Sequence, residues 1–284
     1  TNLNKDKNLD GHLLPGLLAD GIPRALVGTT LPFNYNDIDE LENLIKDNKD
    51  EIAAIKMEVS RNEGPKGDYL QKVRDLATEN KIVLIFDECT SGFRETFGGL
   101  HKKFNVEPDI AVFAKAIGNG YAISACIGRK KIMQAAQKTF ISSTFWTERI
   151  GSVAALKTLE VMERIRSWEK ITNIGKDVGK KWKALANKYN LEIKVSGLPA
   201  VQSYSFCSKD NLKYKTLITQ EMLKKGFLST PLLFSCIEHN DEVIKSYMNA
   251  LDDCFALVRE CEDGKSIDKI LEGPVCHSGF KRLN

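Results

Sequence analysis

Apolar and polar positions in the first half of the chain follow two alternating patterns. In DIDELENLIKDN, which starts at Asp37, apolar residues recur every three or four positions, as in an amphipathic helix with Asp37 as its N-cap. In IVLIFDE, residues 82–88, they form a continuous run typical of a buried strand. The same patterns predict strand 51–58, helix 69–81, strands 108–116 and 121–128, and helix 129–138. Strands alternating with helices predict an α/β fold: a mainly parallel sheet with helices on both faces.

The pattern changes after residue 150. A long helical stretch is predicted from Ile150 to about Asn190. Beyond it the sequence predicts strands 191–197 and 200–206, helix 214–225, a further extended segment 226–230 and helix 241–261. This order is typical of a smaller α+β unit. We place the boundary near Arg166, which gives a large domain at 1–165 and a C-terminal α+β domain at 166–284, with an extended tail from Gly273.

The first forty residues contain Gly, Pro, Asn and Asp at short intervals. They predict a loop with one short strand at Ala25–Gly28. Because long structureless segments are uncommon in compact folds, such an opening is expected to pack against something upstream.

Composition narrows the class of protein. The chain has 284 residues, of which 42% are hydrophobic, and its 41 basic and 38 acidic residues nearly cancel to +3. This charge balance gives no indication of nucleic acid or an anionic membrane as partner. The seven cysteines are scattered without a Cys-x-x-Cys pair, which favours reduced thiols over a zinc site. With no apolar run of membrane-spanning length and a polar start, a cytoplasmic location is expected.

Two consecutive predicted strands end in groups of opposite charge. The strand 82–88 ends at Asp87 and Glu88, and Lys115 closes the next apolar run. Each has an ordinary explanation, since aspartate begins many turns and lysine extends its amine to water. Parallel strands, however, deliver such groups to one edge of the sheet, where ligands bind. A lysine amine and a carboxylate are what pyridoxal phosphate requires, for its aldehyde and its pyridine nitrogen respectively.

Three longer motifs carry a resemblance to a known family. They are LIFDECTSGFR (84–94), FAKAIGNGYAISACIG (113–128) and SSTFWTERIGSVAALKTLEVM (142–162). The sequence resembles the class III, fold-type I pyridoxal-phosphate aminotransferases, most closely their glutamate-1-semialdehyde 2,1-aminomutase branch. The resemblance implies that Lys115 forms the Schiff base with the cofactor and carries the proton, and that Asp87 pairs with the pyridinium nitrogen. Cys89 takes the place of a valine against the cofactor ring. A thiol is small and apolar like the valine side chain, so a packing role is favoured over a reactive thiol.

The resemblance also implies roles for residues outside this pair. Thr144 matches a threonine that reaches the cofactor phosphate of the neighbouring subunit, which requires a homodimer; a helix cap is its ordinary alternative. Glu58 matches an acid at the end of the preceding strand, where structural hydrogen bonding and substrate contact are equally open. Arg61 lies nearby, either as a weak contact to a substrate carboxylate or as part of a solvated loop.

The sequence departs from the family pattern in two places. Members of the family carry, ahead of the matched region, a Gly/Ser-rich turn that cradles the cofactor phosphate and an aromatic that stacks on its ring; neither is in this chain. The domain is therefore expected to be N-terminally incomplete. Trp146 and Glu148 also differ from the aminomutase segment, so aminotransferase and aminomutase both stay open. The alternative is a catalytically impaired, truncated paralogue that acts as the dimer partner of a full-length enzyme.

Overall fold

The computed structural model describes residues 23–277, except for residues 27, 61 and 146. Its first regular helix is α1 (Ile38–Asp47), where the Asp37 side chain accepts a hydrogen bond from the Glu40 amide at 3.0 Å. The predicted N-cap is thereby confirmed. Leu41 and Ile45, four residues apart, are the buried side of this helix.

A four-stranded sheet follows, in the order β1-β2-β3-β4. Its strands are β1 (Ala54–Glu58), β2 (Val83–Asp87), β3 (Ile110–Phe113) and β4 (Ala125–Gly128). The first three strands run parallel, and β4 runs antiparallel to β3. Helix α2 (Tyr69–Glu79) makes the crossover from β1 to β2. The predicted mainly parallel sheet flanked by helices is confirmed.

The two faces of this sheet differ in burial. One face carries the buried residues Ile55, Met57, Leu84, Phe86, Ala111 and Phe113. These residues belong to clusters that include the inner side chains of α1 and α2 and Ala155. The opposite face carries Lys56, Ile85, Asp87 and Val112, which are exposed or only half-buried among the described residues. Asp87 therefore projects from the accessible side of the sheet.

Helix α3 (Lys130–Met133) is short and continues as a 3-10 helix, so the predicted helix 129–138 is only partly α-helical.

The long helical stretch predicted after residue 150 is interrupted at one residue. Helix α4 (Ile150–Ile165) ends at Arg166, whose φ of +52° lies in the left-handed region, and α5 (Ser167–Lys188) starts directly after it. This break lies at the predicted domain boundary; the division into two domains stays a prediction.

A second sheet lies beyond α5. Strands β5 (Ile193–Leu198), β6 (Val201–Phe206) and β7 (Leu232–Phe234) are antiparallel, and helices α6 (Asn211–Lys224) and α7 (Asp241–Glu262) complete the unit. Its core surrounds the fully buried side chains of Trp182 and Phe255. Among the described residues, no helix combines the length and apolar character needed to cross a membrane.

Two predicted elements are wrong. Residues 24–26 form a 3-10 helix where a strand was expected at Ala25–Gly28, because the Leu26 amide donates to the Pro23 carbonyl and closes a turn. The extended segment predicted at 226–230 is not the third strand, which begins at Leu232. Gly226, with φ of +84°, ends the preceding helix and starts a turn, so the chain becomes extended later.

Candidate active site

The carboxyl ends of β2 and β3 bring together the acid and the lysine that the sequence singles out. Asp87 is the last residue of β2 and pairs in register with Val112 of β3. Lys115 lies three residues beyond Val112, with φ of +48°. A left-handed conformation costs a non-glycine residue of the order of 1 kcal/mol, and such strain concentrates at functional sites.

Cys89 and Thr90 connect the two groups. The Cys89 amide donates to Asp87 Oδ1 at 3.1 Å, and the charges of both Asp87 and Lys115 act on the Cys89 thiol. Lys115 Nζ donates to Thr90 Oγ1 at 2.6 Å. Asp87 and Lys115 therefore flank one short loop segment.

The Asp87 carboxylate is held in its ionised form. Burial alone raises the pKa of Asp87, but hydrogen bonds from Lys56 and Cys89 outweigh it, so that the pKa lies below its ordinary value. Lys56 Nζ lies 2.7 Å from Asp87 Oδ2 and belongs to the same accessible face of the sheet. An acid ionised at neutral pH suits a protonated ring nitrogen.

The Cys89 thiol is poorly suited to nucleophilic chemistry. Burial raises its pKa, and the neighbouring Asp87 carboxylate raises it further against the opposing effect of Lys115 and Lys56. Because the thiolate is the reactive form, a raised pKa favours the packing role over a reactive thiol. Cys89 Sγ lies 3.8 Å from the Val112 carbonyl oxygen.

Glu88, the second acid of the pair, points away from Asp87 into the protein. Its side chain is fully buried and receives hydrogen bonds from the Ser91 hydroxyl and, at 3.0 Å, from the His101 amide. His101 Nδ1 lies 2.9 Å from the same carboxylate oxygen. Burial raises the pKa of Glu88, but the bonds from His101 and Ser91 lower it overall. Glu88 thus anchors the loop that follows Asp87, a role that sequence reasoning missed.

Of the other predicted site residues, Glu58 and Thr144 are described by the structure. Glu58 pairs in register with Asp87 and is half-buried beside it. Thr144 lies in an exposed turn, outside the Asp87–Lys115 cluster. Arg61 and Trp146 lie outside the described residues. The roles assigned to Glu58, Arg61 and Thr144 stay predictions.

A cavity of about 890 Å³ opens beside Lys115. Its walls come from the loop after β3, helix α4, the start of α5 and residues 235–237. It contains a second residue that sequence reasoning missed, Arg94, at the end of the motif LIFDECTSGFR. No spacing rule in the sequence connects Arg94 with Lys115, because the loop that joins them is irregular.

The sequence of this chain matches a family of known proteins. A model of the family Aminotransferase class-III matches residues 16–240. The chain belongs to the class-III aminotransferases. It is 34% identical over 252 residues to the 3-aminobutyryl-CoA aminotransferase of Cloacimonas acidaminovorans, covering 84% of this chain and 61% of the relative. It is 32% identical to the glutamate-1-semialdehyde 2,1-aminomutase of Methanocaldococcus jannaschii, covering 83% and 60%. This class-III chain thus spans about three-fifths of the length of these curated relatives.

Solved structures share the fold of this class-III chain. The internal aldimine form of the FumI protein from Sphingopyxis sp. MTA144 superposes with a TM-score of 0.81 at 23% identity, covering 88% of this chain and 63% of that one. An omega-transaminase from Sphaerobacter thermophilus superposes with a TM-score of 0.76 at 21% identity, covering 87% and 61%. The predicted fold-type I architecture is confirmed by these neighbours.

Replacing Lys56 with methionine is expected to raise the pKa of Asp87. The pKa of Asp87 is lower in the folded protein than the unfolded pKa of about 3.9, so the ionised carboxylate stabilises the fold at pH values above the unfolded pKa. This contribution disappears as the pH falls through the folded pKa. The K56M variant is therefore expected to lose at most about 1 kcal/mol at pH 7, with a smaller loss at pH 3. NMR titration of the Asp87 carboxyl and urea unfolding at both pH values measure the two effects.

The matched control for this variant is Lys72→Met. Lys72 pairs with Asp68 at 3.2 Å, near the start of α2. Its removal is expected to leave the pKa of Asp87 unchanged. An Asp87 pKa that is the same in K56M and in the unmodified protein would contradict the assigned ion pair.

Proposed function

We propose that this chain performs pyridoxal-phosphate-dependent amino-group transfer, with Lys115 as the residue that binds the cofactor covalently. The observation that supports this most is the short loop through Cys89 and Thr90, which connects an ionised Asp87 to the amine of Lys115. The names of the relatives support the same chemistry. Both aminotransferase and aminomutase remain compatible with these residues, since both reactions use this pair.

The side chains at this site fit the chemistry of the cofactor. Pyridoxal phosphate supplies an aldehyde for an amine and a protonated ring that withdraws electrons from the substrate carbon. Asp87 would hold the ring nitrogen in its protonated form, and the Lys56 ion pair already shows that this carboxylate accepts a cation. Cys89 would pack beside the ring, with its thiol protonated. Thr144 of a neighbouring subunit would contribute to holding the phosphate.

Lys115 would also move the proton. The Thr90 hydroxyl accepts from Lys115 Nζ at 2.6 Å and so orients the amine when it is free. A positioned amine within reach of the substrate carbon can act as a general base. Residues of α4 and α5 line the same cavity as the amine.

A homodimer is part of this proposal. Large apolar side chains between residues 140 and 156 are exposed in the single chain, among them Phe140 at 97% and Phe145 at 76%. Ile150 and Val153 of the same stretch also line the cavity beside Lys115. Large exposed apolar patches mark interaction surfaces. A second subunit on this surface would close the cavity and place its Thr144 near the site; a full-length partner would use the same surface.

The proposal is tested by product analysis. Purified chain is incubated with pyridoxal phosphate and one of a panel of amino donors, and cofactor forms and products are separated by chromatography. An aminotransferase is expected to form one pyridoxamine phosphate and one oxo product for each donor consumed. An aminomutase is expected to return the nitrogen to the same carbon skeleton, without accumulating an oxo product. If every donor is recovered unchanged while the cofactor is bound, the proposed activity is wrong.

A further inference from the structure

The Asp87 carboxylate accepts hydrogen bonds at both of its oxygens. Oδ1 accepts from the Cys89 amide at 3.1 Å, and Oδ2 accepts from Lys56 Nζ at 2.7 Å. The first donor is a backbone group two residues along the chain and is fixed by the loop. The second donor is the end of a flexible side chain on the neighbouring strand β1. Lys56 is therefore the partner of Asp87 that can move away.

The register of the strands places Lys56 beside Asp87. Glu58 of β1 pairs in register with Asp87, and Lys56 lies two residues before Glu58 on the same face of the sheet. The residues on either side of Lys56, Ile55 and Met57, are buried on the opposite face. Lys56 thus brings a positive charge to the carboxylate that the proposed function assigns to the cofactor ring.

The ion pair between Lys56 and Asp87 is easily broken. The Lys56 side chain is 62% exposed, so its ammonium can exchange the carboxylate for water with little change in hydration. The ion pair between Arg74 and Asp109 is the opposite case, because both side chains are about nine-tenths buried and Asp109 Oδ2 also accepts from the Leu84 amide at 2.8 Å. Arg74 is a permanent structural partner, whereas Lys56 is a replaceable one.

Asp87 carries one negative charge and compensates for one cation. A protonated pyridine nitrogen brings a positive charge of its own to this carboxylate. A second cation at the same oxygens repels it, because like charges at close range disfavour each other. Lys115 avoids this competition, since its amine donates to the Thr90 hydroxyl at 2.6 Å. Lys56 and a protonated ring nitrogen therefore exclude each other at Asp87.

We propose that Lys56 is an autoinhibitory residue that competes with the pyridine ring of the cofactor for the Asp87 carboxylate. The ring nitrogen binds Asp87 only after the Lys56 ammonium has moved into water. This inference rests on the part of the proposed function that brings the cofactor ring to Asp87. The strength of one surface ion pair then sets part of the affinity for the cofactor.

Calorimetric titration of the full chain with pyridoxamine 5′-phosphate at pH 7 tests the proposal. This probe carries the ring and the phosphate, and an amine replaces the aldehyde, so its binding needs no bond to Lys115. Lys56→Met is expected to bind the probe about two- to fivefold more tightly than the unmodified chain, because a competing surface ion pair is lost. This gain is expected to shrink at high salt, where the ion pair is screened.

Two matched variants serve as controls for Lys56→Met. Lys56→Arg keeps a cation at the same position, and Lys72→Met removes a lysine that pairs with Asp68. Both are expected to bind the probe with the affinity of the unmodified chain. Thermal melts check that all four proteins are folded at the temperature of the titration.

The direction of the change separates competition from a general effect of charge. Because the probe carries a phosphate, removal of a cation that acted only by charge attraction would weaken binding. Weaker or unchanged binding in K56M, or an equal gain in K72M, would overturn the proposal.

Absorbance with pyridoxal phosphate distinguishes failure at Lys56 from failure at Lys115. The same four proteins are mixed with pyridoxal phosphate, and the visible absorbance of the bound cofactor is read. If the probe affinity responds to Lys56 but none of the proteins gains this absorbance, the role of Lys115 is wrong and the competition at Asp87 is supported. If the absorbance appears but the probe affinity is the same in all four proteins, the competition alone is overturned.

Discussion

Replacement of Glu88 by alanine is expected to lower the free energy of unfolding by about 3–5 kcal/mol. The fully buried carboxylate accepts hydrogen bonds from the Ser91 hydroxyl and the His101 amide, and it lies 2.9 Å from His101 Nδ1. Without Glu88 these polar groups stay buried and unpaired, each at a cost of about 1–3 kcal/mol. Urea unfolding at pH 7 measures the loss.

The pH dependence gives a second check on Glu88. The pKa of Glu88 is lowered in the folded protein. The ionised carboxylate therefore stabilises the fold at pH values above the unfolded pKa of about 4.3, and this contribution is lost as the pH falls through the folded pKa. The difference between E88A and the unmodified protein is therefore expected to shrink below about pH 4.

The control is Glu107→Ala. Glu107 contacts the other side of His101, at 3.7 Å from Nε2, but its side chain is 70% exposed. Its removal is expected to change stability by less than about 0.5 kcal/mol. Equal losses in E88A and E107A would contradict the assigned anchor.

Replacement of Lys115 by alanine is expected to abolish covalent cofactor binding and to reduce amino transfer by at least about 10²–10⁴-fold. The fold is expected to survive, because the lysine side chain is exposed and its described hydrogen bond is to the Thr90 hydroxyl. Near-ultraviolet circular dichroism checks the fold, and product analysis measures the turnover.

Lys103→Ala is the matched control for this variant. Lys103 forms an ion pair with Glu95 at 2.5 Å and does not line the cavity beside Lys115. Its activity is expected to match that of the unmodified chain. A K115A protein that kept both colour and turnover would contradict the role of Lys115.

The elements that the sequence predicts well depend on short-range patterns. Helix α1 is capped by a residue three positions from its bonding partner, and β2 is a continuous apolar run. The edge shared by Asp87 and Lys115 follows from a general rule on parallel strands. Such features need no knowledge of distant residues, so the architecture and the acid–lysine pair are readable in advance.

The features that the sequence leaves open depend on long-range contacts. Arg94 lies against Phe234, a residue 140 positions away, and Glu88 is buried by an irregular loop that returns at His101. The left-handed backbone of Lys115 has no sequence signal, because glycine is the residue expected at positive φ. Residues 24–26 differ from the predicted strand because one local turn hydrogen bond decides their conformation.

Borohydride reduction of the cofactor-loaded chain, followed by digestion and peptide mass mapping, identifies the lysine that binds the cofactor. We expect a stable phosphopyridoxyl group on the peptide that contains Lys115, and none on the peptide that contains Lys56. Labelling of Lys56, or a label spread over surface lysines with Lys115 unmodified, would contradict this expectation.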